Sequence, residues 1–375
     1  MSTKGQHDDT PAATAADAPS SGVGAQGDVS PSSSAEGEAG YASFGPDELA
    51  VILSHYDLGV IESIQPFRRG SRRSPKALVK SEMGLFLLKR RAEGRDDPAR
   101  VGFAHRIQLH LASRGFPVAP LIPTRKHHGS MVLRAGRIYE LFSFVGGGKF
   151  DQTPDATFDA GRTLALFHVL LADHQPAVDP PSSGYHGSVQ IGAQLPAICE
   201  RLDPALAPVG ERLARAYRGA GERADQLGLP NWPRQIIHGD WHPGNMLFAG
   251  ARVLAVLDYD TARLEARALD LANGALQFSI TRVGENPDQW PEHLDEVRLA
   301  RFIAGYESAS FGRVSRAEVA ALPELMIEAL IVEAVVPIAA TGRFGPVPGA
   351  RFLQMVDRKV AWLQQHAPRL VQNLT

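Results

Sequence analysis

The chain is poor in several things, and each shortage excludes something. It has one cysteine, Cys199, in 375 residues. That rules out an intramolecular disulfide and fits a reducing, cytoplasmic setting. Charge of either sign is not in excess: 39 Lys and Arg face 41 Asp and Glu, a formal net charge of -2. A dedicated nucleic-acid binder needs a basic face, so nucleic acid is not the expected partner. No apolar run approaches the roughly 18 residues of a membrane span. Aromatic residues make up only 7% of the chain, yet the hydrophobic fraction of 44% is ordinary for a globular protein.

The first forty residues lack an apolar segment and lack arginine. The first shortage argues against a secretory signal, and the second, with Asp and Glu present, against an organelle-targeting peptide. Their Ala, Ser, Gly, Asp and Pro content cannot bury enough apolar surface to offset ordering entropy. Residues 1–44 are therefore expected to form a disordered tail.

From there the pattern is β-rich. "FGPDELAVILSHY" reads as a short helix start, with Pro46, Asp47 and Glu48 ahead of the apolar residues. Three strands follow at about Val60 to Pro66, Ala77 to Ser81 and Leu85 to Arg90, with a tight turn at Met83-Gly84. "PARVGFAHRIQLHLASRG" has mixed helical spacing and ends at a glycine. Two more strands, Ser130 to Arg134 and Arg137 to Phe144, flank an Ala135-Gly136 turn. After "GGGKF", a hinge or surface loop, "TPDATFDAGRTLALFHVLLADH" opens a helix with Thr153, Pro154 and Asp155. The rest reads as mostly helical, with a small hairpin built from the runs "QII" and "VLAVLDY". The expected fold class is α+β, in three parts: the tail at 1–44, a small antiparallel β lobe with one inserted helix at 45–144, and a larger helical lobe at 145–375. A cleft between two such lobes is a natural place for a site.

The chemistry concentrates in "HGDWHPGNMLFAGARVLAVLDYD", His238 to Asp260. Asp240 and Asn245 lie five apart around Pro243 and Gly244, so a carboxylate and an amide oxygen can share one site. Asn is a weak base but a good oxygen ligand, which favours magnesium over zinc. Asp258, ending an apolar strand, supplies a second ligand. Asp260 can reach a metal or cap the helix expected in "TARLEARALD". His238 and His242 read as loop-holding or packing residues. Phosphoryl transfer needs little more: a carboxylate to orient a hydroxyl, oxygen ligands for magnesium and a cation for the phosphates.

"HGDWHPGN" followed by "VLDYD" resembles the aminoglycoside phosphotransferase, choline kinase and type II homoserine kinase family, which are protein-kinase-like small-molecule kinases. The resemblance spans roughly residues 45 to 345. It implies a protein-kinase-like two-lobed fold and use of ATP and Mg2+. It implies Asp240 as catalytic base, Asn245 and Asp258 as magnesium ligands and His238 as architectural. Lys89, in "LFLLKRR", stands where the family keeps its phosphate-holding lysine. Alternation sets it with Leu85 and Leu87, inward if that apolar face is the core face. "YELFSFV", with Glu140 and Phe142, falls where the lobes join and is expected to contact adenine through its backbone. Asp270 matches a helix aspartate that steadies the loop.

The pattern also departs from the family. The loop "FRRGSRRSPK" has only Gly70. The small-lobe helix "VGFAHRIQLHL" has no acid to pair with the lysine, which leaves Glu82 or Glu140 as candidates. The expected activity is transfer of the γ-phosphate of ATP to a hydroxyl of a small metabolite or aminoglycoside-like acceptor. Homoserine and amino alcohols are among the acceptors it admits. The alternatives are a catalytically weak nucleotide-binding protein of the same fold, and a metal-dependent phosphoesterase.

Overall fold

A computed structural model describes residues 41–174, 184–284, 286–310 and 313–374. Of the expected tail, residues 1–40 lie outside the described residues. Residues 41–44 lie against the small lobe: the Ala42 amide donates to Arg72 O at 2.9 Å, and Arg90 stacks over Phe44.

The small lobe opens with α1 (Pro46–Leu53). The Glu48 carboxylate accepts from the Gly45 amide at its start and also from Arg90 and the Tyr139 hydroxyl. Strands β1 (Ile61–Pro66), β2 (Lys76–Ser81), β3 (Gly84–Arg90), β4 (Val132–Arg134) and β5 (Arg137–Ser143) form one antiparallel sheet in the order β1-β2-β3-β5-β4. Between β3 and β4 the chain forms α2 (Pro98–Ser113), started by Pro98 and by Asp97, which accepts from the Ala99 and Arg100 amides.

Alternation assigns the two faces of the sheet. Ala77, Val79, Phe86, Leu88 and Leu141 point into a core shared with Ile52 and Leu53 of α1. Leu78, Leu87 and Phe142 are half-buried on the opposite face. Helix α2 sends Phe103, Ala104, Ile107 and Leu111 into the core of the larger lobe, so the second face of the sheet looks toward that lobe.

The larger lobe contains α3 (Pro154–Leu171), α4 (Val189–Leu202), α5 (Ala207–Gln226), α6 (Arg267–Ser279), α7 (Glu296–Ala309), α8 (Arg316–Thr341) and α9 (Gly349–Leu374). Helix α3 starts where Thr153 Oγ1 accepts the Ala156 amide at 3.2 Å, and α8 starts with a Ser315/Glu318 capping box.

The embedded β structure differs from expectation. There are two ribbons: β6 (Arg234–Ile237) pairs with β9 (Arg263–Ala266), and β7 (Met246–Ala249) pairs with β8 (Arg252–Val256). "QII" and "VLAV" therefore belong to different pairs. Their true partners, "MLFA" and "RLEA", are too short and too weakly β-branched to stand out by pattern.

The β7–β8 hairpin is tied to the lobe joint and to the segment that follows α2. Gly148 and Phe248 exchange amide bonds at 2.7 and 2.9 Å, and the Val256 amide donates to Pro117 O at 2.9 Å. Gly147 must be glycine for this approach, because a Cβ there would stand 2.8 Å from Leu247 Cβ. The end of "GGGKF" is thus stitched to the hairpin.

Candidate active site

The loop Gly239–Asn245 leaves β6 and enters β7. Asp270, buried on α6, clamps its start: Oδ2 accepts the His238 amide at 2.6 Å and Oδ1 the Gly239 amide at 2.8 Å. Burial works against that carboxylate's charge, but His168, His238 and the two amides outweigh it and hold its pKa below the ordinary value. Behind it His168 bridges Tyr306 and Asp270 in the core, at 2.8 and 3.3 Å. His238 is fully buried with Nε2 3.1 Å from Leu257 O, and burial lowers its pKa. It connects the loop to the strand that carries Asp258. Gly239 has φ +77°, and a Cβ there would meet Thr261 O at 2.6 Å, so the turn admits only glycine.

With the loop fixed, the polar side chains converge. Asn245 Nδ2 donates to Asp240 Oδ2 at 2.9 Å and to Asp240 O at 3.1 Å. That leaves the amide oxygen of Asn245 as an acceptor. His242 Nε2 lies 3.5 Å from Asp240 Oδ2, and its Nδ1 accepts the Gly244 amide. Burial opposes ionisation of Asp240, yet His242, His238 and Asn245 together lower its pKa. The Leu257 amide donates to Asn245 O at 2.8 Å. This places Asn245 and the exposed Asp258 at the same open end of the β7–β8 hairpin. Two oxygen donors there fit a hard, octahedral cation that takes its remaining ligands from phosphate and water. Among the described residues no group of three or more His, Cys, Asp or Glu converges as a metal cage, which is what a metal-dependent phosphoesterase would require.

Across the cleft stands Lys89, partly exposed, on the second face of the small sheet. Packing settles which face is the core face: Phe86 and Leu88 enter the small-lobe core, while Leu87 and Lys89 look toward the larger lobe. Strand register puts Lys89 opposite Glu140 and Leu87 opposite Phe142.

Glu140 takes a different place from the adenine contact expected of it. It lies within the sheet, fully buried, with Oε2 3.6 Å from Lys89 Nζ. Its Oε1 accepts from Arg91 at 2.7 Å and from His105 Nε2 at 2.6 Å. Burial disfavours its charge, but Lys89, His105 and Arg91 hold it well below the ordinary carboxylate range. The lysine's partner therefore comes from β5, and α2 contributes a histidine to that partner. Glu82, the other candidate, instead accepts the Val60 amide at 3.0 Å. Phe142 is also in mid-sheet, where its half-buried ring joins Leu78 and Leu87 as an apolar surface over the cleft.

Asp260 neither caps a helix nor joins Asp258. Helix α6 starts only at Arg267, after β9, and Asp260 Oδ2 accepts from Arg91 at 2.6 Å. Arg91 thus bridges the two lobes, from Glu140 to Asp260.

Two further residues stand near the site, and the first of them escaped sequence reasoning. Lys76 is the first residue of β2 and stands directly opposite Lys89. Counting back from the Met83-Gly84 turn was the signal available for it. Glu333 of α8 lies close enough to the loop for Asp240 and His242 to act on it. Gln277 and Asn273 of α6 hydrogen-bond it, and burial together with the charge of Asp240 raises its pKa to about 7.

Comparisons with known proteins agree with this fold. The sequence model of the Phosphotransferase enzyme family matches residues 63–319. A homoserine kinase of Phenylobacterium zucineum (strain HLK1) is 29% identical over 291 residues, covering 76% of this chain and 82% of its own. Among solved structures, a microcompartment-associated aminopropanol kinase superposes with a TM-score of 0.64 at 17% identity, covering 86% of this chain and 98% of its own. An amicoumacin kinase in complex with AMP-PNP and Ca2+ superposes with a TM-score of 0.63 at 12% identity, covering 86% and 94%.

Proposed function

The chain belongs to the phosphotransferase enzyme family and is a small-molecule kinase; we propose that it moves the γ-phosphoryl group of ATP, with Mg2+, to a hydroxyl of a small metabolite that also carries an amine. The observation that carries this reading is the convergence of Asp240, Asn245 and Asp258 at one end of a hairpin that faces the Lys89–Glu140 pair.

In this reading Asp240, kept ionised by its neighbours, orients the acceptor hydroxyl and takes its proton. The acceptor oxygen bonds the γ-phosphorus as the bond to the bridging β-phosphate oxygen breaks, leaving ADP. Asn245 and Asp258 would hold Mg2+ through the amide oxygen and the carboxylate. The bound ion would offset phosphate charge. Lys89 lies too far from Glu140 for a hydrogen bond, so its ammonium can donate to the α- and β-phosphates. Leu78, Leu87 and Phe142 offer adenine an apolar roof. Positioning and charge stabilisation then account for the rate.

Support for the amine comes from Glu333, a carboxylate near enough to the loop that the charge of Asp240 acts on it. A homoserine kinase among the relatives supports an acceptor with both a hydroxyl and an ammonium group. The buried, unpaired Cys199 and the lack of any described helix long and apolar enough to cross a membrane are compatible with a cytoplasmic setting. The weak-kinase alternative rested on the acid missing from the small-lobe helix and on the glycine-poor loop; in this reading Glu140 of β5 takes the place of that acid.

The test is calorimetric titration with ATP and magnesium on wild type and Asp258→Ala. Magnesium-dependent binding that weakens in the variant supports the site. Homoserine, amino alcohols and aminoglycosides would then be screened for ADP release. No binding of ATP or GTP at millimolar concentration overturns the proposal.

A further inference from the structure

The segment Phe67 to Pro75 joins β1 to β2 and lies where a kinase of this fold covers the nucleotide phosphates. Such a loop normally does so with backbone N–H groups freed by several glycines. This one has Gly70 alone. Directly after it comes Lys76. Its place opposite Lys89 sets both ammonium groups on the same face of the sheet, toward the cleft. Lys76 is half-buried, and its Nζ donates to Arg69 O of the loop at 2.9 Å. A Cβ on Gly70 would stand 3.3 Å from that Nζ, so the loop's one glycine lies over the ammonium.

Like charges directly opposite each other in a sheet are destabilising, and each such pair asks for a counter-charge. Lys89 has Glu140. Among the described residues Lys76 forms no ion pair with a carboxylate. Asp258 is near enough to act on it electrostatically, but the proposed role of Asp258 lies with a cation. Burial and the charge of Lys89 lower the pKa of Lys76 to about 8, against the pull of Asp258. Lys76 therefore remains mostly charged at neutral pH in a partly desolvated position, and an anion entering the cleft would relieve that cost.

We propose that Lys76 is a second phosphate-binding lysine, which holds the nucleotide's β- and γ-phosphate oxygens from the loop side and does with one ammonium what a glycine-rich loop does with backbone amides. The inference rests on the kinase reading above. On nucleotide binding, the Arg69 carbonyl would share the ammonium with the phosphates, drawing the loop over them.

The test compares wild type, Lys76→Met, Lys76→Gln and Lys76→Arg by titration with Mg·ATP, Mg·ADP and adenosine, with thermal unfolding of each as a check on folding. Losing a charge-assisted contact should weaken ATP and ADP binding about 10- to 100-fold in the Met and Gln variants. Adenosine affinity should not change, and Arg should restore most of the loss. The Met variant should melt no lower than wild type, since it removes a like-charge pair. Gln keeps a donor for the Arg69 carbonyl, so wild-type affinity in Gln with loss in Met would mean a loop anchor only and overturn the proposal. Unchanged ATP affinity in Met, or equal loss of ATP and adenosine, would also overturn it while leaving the kinase reading intact. Absence of ATP binding by the wild-type protein would overturn both.

Discussion

Glu140→Gln tests the central charge network most directly. The substitution keeps the side chain's volume and one acceptor oxygen but removes a charge that three donors face. Arg91 and His105 both donate to Oε1, and the Lys89 ammonium lies 3.6 Å from Oε2. After the change an amide NH2 must point at a cation. Removing one partner of a buried ion pair costs about 3–5 kcal/mol. Arg91 retains Asp260 at 2.6 Å, so the low end, about 3 kcal/mol, is expected. Folded domains have roughly 5–15 kcal/mol in hand, so the variant should fold but unfold at lower urea, followed by far-ultraviolet circular dichroism. Arg91→Met should cost less in the Glu140→Gln background than alone, because the two share one network. The sign with pH is fixed. The native pKa of Glu140 is depressed, so its stabilisation is full above the unfolded-chain value of about 4.3 and is lost as pH falls below it toward the native value. The gap between wild type and variant should be flat from neutral pH to about 5.5 and shrink in more acidic solution. Turnover should also fall, by about 100-fold, through misplacement of Lys89. A variant within about 0.5 kcal/mol of wild type at pH 7, the range of an ordinary surface change, would refute the reasoning, as would a gap that persists unchanged in acid.

Two further outcomes follow from the site. Asp240→Asn should lower kcat by about 10²- to 10⁴-fold, with nucleotide affinity by calorimetry little changed; unchanged turnover would remove Asp240 from the base role. Glu333→Gln should raise the KM of an amine-bearing acceptor about 10- to 100-fold. With the native pKa raised to about 7 by burial and Asp240, the wild-type acceptor KM should improve as pH rises through 7, and the Gln variant should lose that dependence. The same shift means that folding takes up a proton at Glu333. Its effect on stability is most favourable below the unfolded value and fades as pH rises through about 7, a slope absent from Glu333→Gln in pH-dependent unfolding.

What the sequence made legible was local. The small-lobe strands could be read because alternation and the Met83-Gly84 and Ala135-Gly136 turns are written in neighbouring residues. The stretch from His238 to Asp260 could be read because six chemistry-bearing residues crowd two short runs. What it hid was pairing at a distance. Nothing near Lys89 says that its strand lies beside β5, because α2 and β4 intervene, so Glu140 could be named as the lysine's partner only alongside Glu82. Asp260, ahead of "TARLEARALD", has the local signature of a helix cap; the chain instead makes β9 first, and Arg91 from the other lobe claims the carboxylate. The face of Lys89 stayed open for a related reason. Leu85 and Leu87 are apolar enough for a core, but a nucleotide cleft also needs an apolar roof, and alternation alone cannot tell the two apart.

The rearranged network bears on how the two lobes act together. In the arrangement implied by the resemblance, a helix acid holds the phosphate lysine, so moving the helix moves the lysine. Here the acid is fixed in the sheet beside its lysine, and the helix holds the acid: His105 of α2 donates to Glu140, with Ser130 at its other nitrogen, 2.8 Å away. The order of the links has changed, but the helix is still coupled to the lysine. A second link runs onward from the same oxygen through Arg91 to Asp260, two residues beyond Asp258. Lys89 and the turn that carries Asp258, the proposed phosphate cation and metal carboxylate, are thus joined by one chain of charge-assisted bonds that crosses between the lobes. Gly148 and Pro117 pin the same hairpin from its other side through backbone bonds. A rotation of the small lobe large enough to separate Lys89 from Asp258 must break the Arg91–Asp260 pair. The network therefore favours the approach of the two sites before any nucleotide arrives, which is the preorganisation that phosphoryl transfer requires.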